Sequence, residues 1–271
     1  MNEDISIDSV QKREKSGYII ISLISLVIGI FLWWLFTEGL GTISHKIMPG
    51  PIRVFQSFFS KFYVSAPDGA TLLQHLGSSL QITLLGYVIG VAIGIPLGIV
   101  MAWYPKFDLF VRPVFDLLRP IPGIAWIPVM IVLFGIGLLS KGMVVFLSVF
   151  VAITINTYTG IQQTKSVHKW VSHTFGASNI YTLFHVAIPT ALPMLMTGLR
   201  VALGAAWTTI IAAELLASTK GIGFMIQQSR GLFRPDIIIV GMIAIGITGS
   251  VLGWLLGLLE KRVLKGRLSK E

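Results

Sequence analysis

Residues 76–102 read LGSSLQITLLGYVIGVAIGIPLGIVMA, a run without a single charged side chain. A helix of this length, rising about 1.5 Å per residue, exceeds the roughly 30 Å hydrocarbon core of a bilayer, so the run reads as a membrane span. Glycine recurs every fourth residue within it, at Gly86, Gly90, Gly94 and Gly98. Such a stripe lets a second helix backbone come close. Pro96 lies inside the stripe and is placed to bend the span.

Outward from this run, uncharged or nearly uncharged stretches of one-span length recur at 109–138, 142–163, 191–216 and 237–259. The stretch from Tyr18 to Phe36 also lacks charge, follows Lys12, Arg13 and Lys15, and carries Trp33-Trp34 near its far end. A cleavable signal would have a shorter apolar region and small residues at its end, so this stretch reads as a first span with an aromatic anchor. The expectation is an all-α membrane protein with six transmembrane helices in one domain. Its parts are an N-terminal tail at 1–17, a first transmembrane helix at 18–37 and a segment at 38–75 with an amphipathic stretch around 54–62. A five-helix core follows at 76–260, interrupted by a long loop at 161–190, and a basic tail closes the chain at 261–271. The last span repeats the glycine stripe at Gly249, Gly253 and Gly257, which marks a second packing face in the bundle or at a subunit interface.

Composition agrees. Of 271 residues, 54% are hydrophobic and 12% charged, and the mean hydropathy is +0.81. A soluble domain carries roughly a quarter charged residues, so the missing polar surface is surface that faces lipid. The net charge of +9 then speaks of lipid headgroups and orientation, with no call for nucleic acid. With both termini in the cytoplasm, twelve basic residues fall inside, among them Lys106, Arg112, Lys165, Lys169, Lys261 and Arg262. Seven fall outside: Lys46, Arg53, Lys61, Lys141, Lys220, Arg230 and Arg234. The positive-inside rule selects this orientation, which puts the protein in a bacterial cytoplasmic membrane as a multi-pass component. On the outside, Lys220, Arg230 and Arg234 are equally well placed to anchor the interface or to touch a partner.

Catalytic equipment is missing from the sequence. It contains no G-x-x-x-x-G-K-[ST], H-E-x-x-H or G-x-S-x-G pattern and no cysteine, so no catalytic residue is assigned and this chain is not expected to be an enzyme. The histidines His45, His75, His168, His173 and His185 lack the paired spacing and carboxylate neighbours of a metal site and read as solvated surface residues, with no metal assigned.

Charges within spans are costly and point to function. Asp116 and Arg119 stand three residues apart before Pro120-Ile121-Pro122, and Arg200 and Glu214 lie in the span at 191–216. Arg200 and Glu214 sit roughly 14 Å and 35 Å along that helix and cannot pair, whereas a network joining Asp116, Arg119 and Arg200 is feasible. Pro120 and Pro122 interrupt backbone hydrogen bonding, and broken helices in a membrane line cavities. Asp116, Arg119, Pro120, Pro122, Arg200 and Glu214 are therefore the candidates for a translocation path or gate.

The loop at 161–190 is longer than a helix connection requires. It contains Trp170, Val171, Ser172, His173, Thr174, Phe175, Gly176, Ala177 and Ser178, and ends in Val186-Ala187-Ile188-Pro189. Gly176, nine residues, Val186, one residue, Ile188 and Pro189 resemble the second half of the E-A-A, three residues, G, nine residues, I, one residue, L-P signature of binding-protein-dependent ABC importer permeases. Trp170 stands where that signature has glutamate. The strings at 75–80, 118–128, 134–137 and 197–200 are similar to the nitrate, sulfonate and taurine branch, and 212–216 with 220–225 are most like taurine permeases.

The resemblance implies a type I ABC importer permease-like fold. It implies import of a small anionic or zwitterionic solute such as taurine or another alkanesulfonate, with nitrate, bicarbonate, riboflavin or a pyrimidine precursor as alternatives within the class. Residues 170–178 with Pro189 would form a coupling helix that docks on cytosolic ABC ATPase subunits, where ATP and Mg bind; this chain itself would hold no cofactor. A second permease copy, in a homodimer, an extracytoplasmic substrate-binding protein and membrane lipid are the other implied partners. An ion-coupled secondary transporter is the rival class, but no internal repeat is visible.

Overall fold

The computed structural model describes residues 20–44 and 47–268, and nearly all of them that are not turns are helical; among them no strand occurs. Lys12, Arg13, Lys15, His45, Lys46 and Lys270 lie outside the described residues. Among the described residues, five helices are long and apolar enough to span a bilayer: α1 (Ile20–Gly39), α3 (Leu72–Trp103), α6 (Leu138–Gln162), α9 (within Asn179–Leu216) and α11 (Pro235–Leu264 in its apolar part). The sixth expected span is not one helix but a bent pair. In place of one span over 109–138, α4 (Pro105–Leu118) and a second helical segment (Gly123–Phe134, with α5 at Ile127–Phe134) meet at a bend of 83°. The break has a local cause: Pro120 and Pro122 have no N–H to continue the ladder, so the last four-residue bond runs from Arg119 N–H to Phe115 and a tighter turn follows from Ile121 N–H to Leu118.

Two short helices, α2 (Pro51–Ser60) and α10 (Ile222–Gly231), share one end of the bundle, and α7 (Ser166–Thr174) lies at the other, between α6 and α9. Beyond α7, α8 (Asn179–Thr182) and a π-helical turn (Leu183–Ala187) lead into α9, whose regular part is Ile188–Leu216. α2 packs its buried Val54 into the core and joins α11 through Ser57 Oγ, which donates to Asp236 Oδ2 at 2.8 Å.

The core is built where α3, α6 and α9 meet. The glycine stripe of α3 faces the fully buried Val145, Val149 and Ile153 of α6. A Cβ at Gly90 would stand 2.6 Å from Val149 Cγ1, and one at Gly98 would stand 2.7 Å from the Thr154 carbonyl oxygen. Here the absence of side chains is what brings the two backbones together. α3 continues through Pro96 as one helix. The second stripe behaves differently: Gly249 touches Trp207, but nothing lies within 4 Å of a Cβ at Gly253, and only Arg200 lies near Gly257. Within this chain Gly249, Gly253 and Gly257 are thus not a close-packed face like the first.

Candidate functional site

Two adjacent cavities open at the break between α4 and α5. One, of about 250 Å³, is lined by Arg119, Pro122, Gly123 and Trp126 of the bent pair, Ser148 of α6, and Thr208 and Thr209 of α9. Thr209 Oγ1 donates to Ser148 Oγ at 3.1 Å, which donates to the Val144 carbonyl. The other, of about 200 Å³, is lined by Asp108, Arg112, Asp116 and Arg119 of α4 with Thr154 and Tyr158 of α6. Arg112 pairs with Asp108 and donates to Tyr158 Oη, with its guanidinium 5.1 Å from the Tyr158 ring centre. Arg119 lines both cavities. Cavities that set charged groups and hydroxyls among apolar walls at a proline-broken helix are where irregular backbone and charge are tolerated in a membrane. A larger groove between α1 and α2, of about 540 Å³, is lined by apolar side chains such as Phe31, Trp34 and Phe55 and suits lipid tails.

The structure separates the sequence-derived candidates. Asp116, Arg119 and Pro122 come together at the cavities. Arg200 does not join them: it forms an ion pair with Glu260 of α11. Glu260 reaches Arg200 first because α11 runs beside α9, so the network expected between the third and fifth spans gives way to one between α9 and α11.

Glu214 takes a third place, among buried polar groups at the α10 end. Its carboxylate is 1% exposed and accepts from Ser79 Oγ at 2.8 and 2.9 Å and from Gly223 N–H at 2.9 Å. Ser79 Oγ accepts in turn from Ile222 N–H at 3.0 Å, and His75 Nδ1 accepts from Gly221 N–H at 3.1 Å. The amides that open α10, which its own helix cannot satisfy, are therefore held by side chains of α3 and α9. Gly221 has φ +132°, and a Cβ there would collide with the Glu214 carboxylate at 2.2 Å, so only glycine fits.

His75 is fully buried, which corrects its reading as a surface histidine. Because Nδ1 accepts, the ring proton sits on Nε2, 3.2 Å from Asp68 Oδ2. Asp68 also pairs with Lys61, whose buried ammonium donates to the carbonyls of Ala66 at 3.1 Å and Ala70 at 2.9 Å. Burial works against the Asp68 carboxylate, but His75 and Lys61 hold its pKa below the ordinary value. Lys141 is likewise buried and donates to Ser218 Oγ at 2.9 Å. Lys61 and Lys141, counted above among the outside basic residues, are buried internal ties. The sequence signal for this cluster was present in His75 and Ser79, one turn apart on the first turns of α3, but their partners lie more than 130 residues away.

At the opposite end, α7 exposes Trp170 (68%) and Val171 (50%), and Phe175 (87%) follows it. Gly176 stops the helix with φ +82°, and Ala177 N–H reaches back to the Ser172 carbonyl at 3.1 Å. Ser172 Oγ and Thr182 Oγ1 lie 2.9 Å apart and tie α7 to α8, while Pro189 enters α9 in its first turn. Lys169 Nζ lies 5.1 Å from the Trp103 ring centre at the end of α3.

The family model for the binding-protein-dependent transport system inner membrane component matches residues 94–265, from the middle of α3 through most of α11. The chain belongs to that family. The permease is 34% identical to the taurine transport system permease protein TauC of Escherichia coli over 251 residues, covering 92% of this chain and 90% of TauC. It is 27% identical to the nitrate import permease protein NrtB of Leptolyngbya laminosa, covering 97% and 98%. These relatives place it in the nitrate, sulfonate and taurine branch. A solved structure of the methionine ABC transporter MetNI in inward-facing conformations shares the fold, with a TM-score of 0.58, 18% identity and coverage of 72% of this chain and 95% of that one. The fold is that of a type I ABC importer permease. Membership of this family makes the chain a multi-pass ABC importer permease, in place of the ion-coupled secondary transporter named as the rival class.

Proposed function

We propose that the permease forms the membrane path of an ATP-driven importer for a small anionic or zwitterionic organic solute such as taurine or another alkanesulfonate. The observation that carries this reading is α7: a surface helix between two spans, stopped by a left-handed glycine, presenting Trp170 and Val171 on its own surface and Phe175 just past its end. Exposed aromatic side chains on a short rigid helix suit a partner's pocket. The partner is a cytosolic ABC ATPase, which binds ATP and Mg; the α7 end faces the cytoplasm with both termini, and the α10 end faces the extracytoplasmic binding protein. Two copies of the permease, embedded in lipid, enclose the path.

ATP binding draws the ATPase subunits together, and α7 passes that motion to α6 and α9, between which it is inserted. The cavities at the bend of α4 and α5 then change the side to which they open. Such coupling requires that α7 hold the ATPase differently in the two states. Deleting residues 170–178 tests the reading: the protein should still insert, and co-purification of the ATPase should fall at least tenfold. Undiminished co-purification with the deletion variant overturns it.

A further inference from the structure

Resting on that transport reading, we infer that Asp116 and Arg119 form a two-charge contact site matched to a small zwitterion, with the guanidinium receiving its anionic end and the carboxylate its cationic end. Four charged side chains line the cavity of about 200 Å³: Asp108, Arg112, Asp116 and Arg119. Two of them are matched to each other, since Arg112 Nε donates to Asp108 Oδ1 at 3.3 Å and its Nη2 pairs with Oδ2. The side chains of Asp116 and Arg119 make no ion pair or hydrogen bond with any described residue, and they do not pair with each other although they sit three residues apart in the chain. That spacing sets their Cβ atoms about 5–6 Å apart on one face.

Both residues are exposed in the cavity wall, where water or a ligand completes charges that no protein group matches. A ligand carrying both charges completes both residues at once. A plain anion such as nitrate satisfies Arg119 alone and meets repulsion from Asp116. Arg119 stands where the two cavities meet, with the hydroxyls of Ser148, Thr208 and Thr209 lining the far side. The forked donors of the Arg119 guanidinium suit an end with several acceptor oxygens, as in a sulfonate, while these hydroxyls donate within the protein. The site therefore favours an aminoalkanesulfonate over an alkanesulfonate without the amine.

The test is uptake by the complete importer, permease with its ATPase and binding protein, using taurine and ethanesulfonate as probes that differ by the ammonium group. Because the same binding protein serves every variant, its own preference cancels in the uptake ratio. Asp116→Asn should lower the taurine to ethanesulfonate ratio about tenfold, as expected for one lost charged hydrogen bond. Asp116→Glu, which keeps the charge, should hold the ratio near that of the unmodified protein, and Arg119→Gln should depress uptake of both probes. An unchanged ratio in Asp116→Asn overturns the inference, as does uptake of ethanesulfonate or nitrate without taurine by the unmodified importer. The transport reading fails separately, through ATPase co-purification that is insensitive to deletion of residues 170–178.

Discussion

The α10 end of the bundle is tied by buried polar side chains, whereas the α7 end presents apolar ones to solvent. At the first end, Glu214, Ser79, His75, Asp68 and Lys61 join α3, α9, α10 and the loop after α2, and little of them is exposed. At the second end Trp170, Val171 and Phe175 project outward, with Ser172 to Thr182 as a tie to the neighbouring helix. Buried polar groups are strongly held because breaking one leaves its partners unsatisfied in a low-dielectric interior. Exposed apolar groups contribute to nothing until a partner covers them. One end is thus stabilised from within, and the other leaves apolar surface that a partner could cover.

The largest effect should come from Glu214→Ala, which leaves Gly223 N–H and Ser79 Oγ without their acceptor in the interior. A loss of about 3 kcal/mol is expected, read as a large drop in the melting temperature of the detergent-solubilised protein. Next, Gly98→Ala should cost about 1–3 kcal/mol, because its Cβ meets the Thr154 carbonyl oxygen, a backbone atom that cannot swing aside. Gly253→Ala, with nothing within 4 Å, serves as its neutral control.

A smaller effect depends on pH. The folded pKa of Asp68 is depressed below its ordinary 3.8, so its stabilising contribution is complete above that value and is lost as pH falls through the folded pKa beneath it. Melting curves of the unmodified protein and Asp68→Asn should therefore differ at neutral pH and converge in strong acid. The smallest effect on stability belongs to Trp170→Ala, within about 0.5 kcal/mol, while ATPase co-purification falls about tenfold. A melting temperature that fell as far for Trp170→Ala as for Glu214→Ala would erase the contrast between the two ends.

Much of this was legible in the sequence because its causes are local. Apolar run length gave the crossings, the four-residue glycine period gave the close approach of α3 to a neighbour, and Pro120 with Pro122 marked the break. The bend itself was not legible, since two prolines remove hydrogen bonds without fixing the direction the chain then takes. The distant partners of His75, Lys141 and Arg200 were missed for a different reason: each tie depends on which helices become neighbours, and hydropathy carries no such information. Gly249, Gly253 and Gly257 show the converse, a period equal to that of α3 without a close backbone approach along its length, since only Gly249 meets a tight neighbour, Trp207.

The first helix carries a consequence for biogenesis. α1 is fixed to the bundle near its second half, where the Trp33 indole donates to the Pro49 carbonyl at 3.1 Å, Thr37 is buried and Glu38 lies against Gly50. Its first two-thirds, including Ile21, Leu26 and Val27, touch little of the protein. Such a helix enters the bilayer on its apolarity alone, without waiting for the helices it will later meet. Preceding α3, α6 and α9 in the chain, α1 leaves the ribosome before them and can hold the nascent chain in the membrane while they are still to be synthesised.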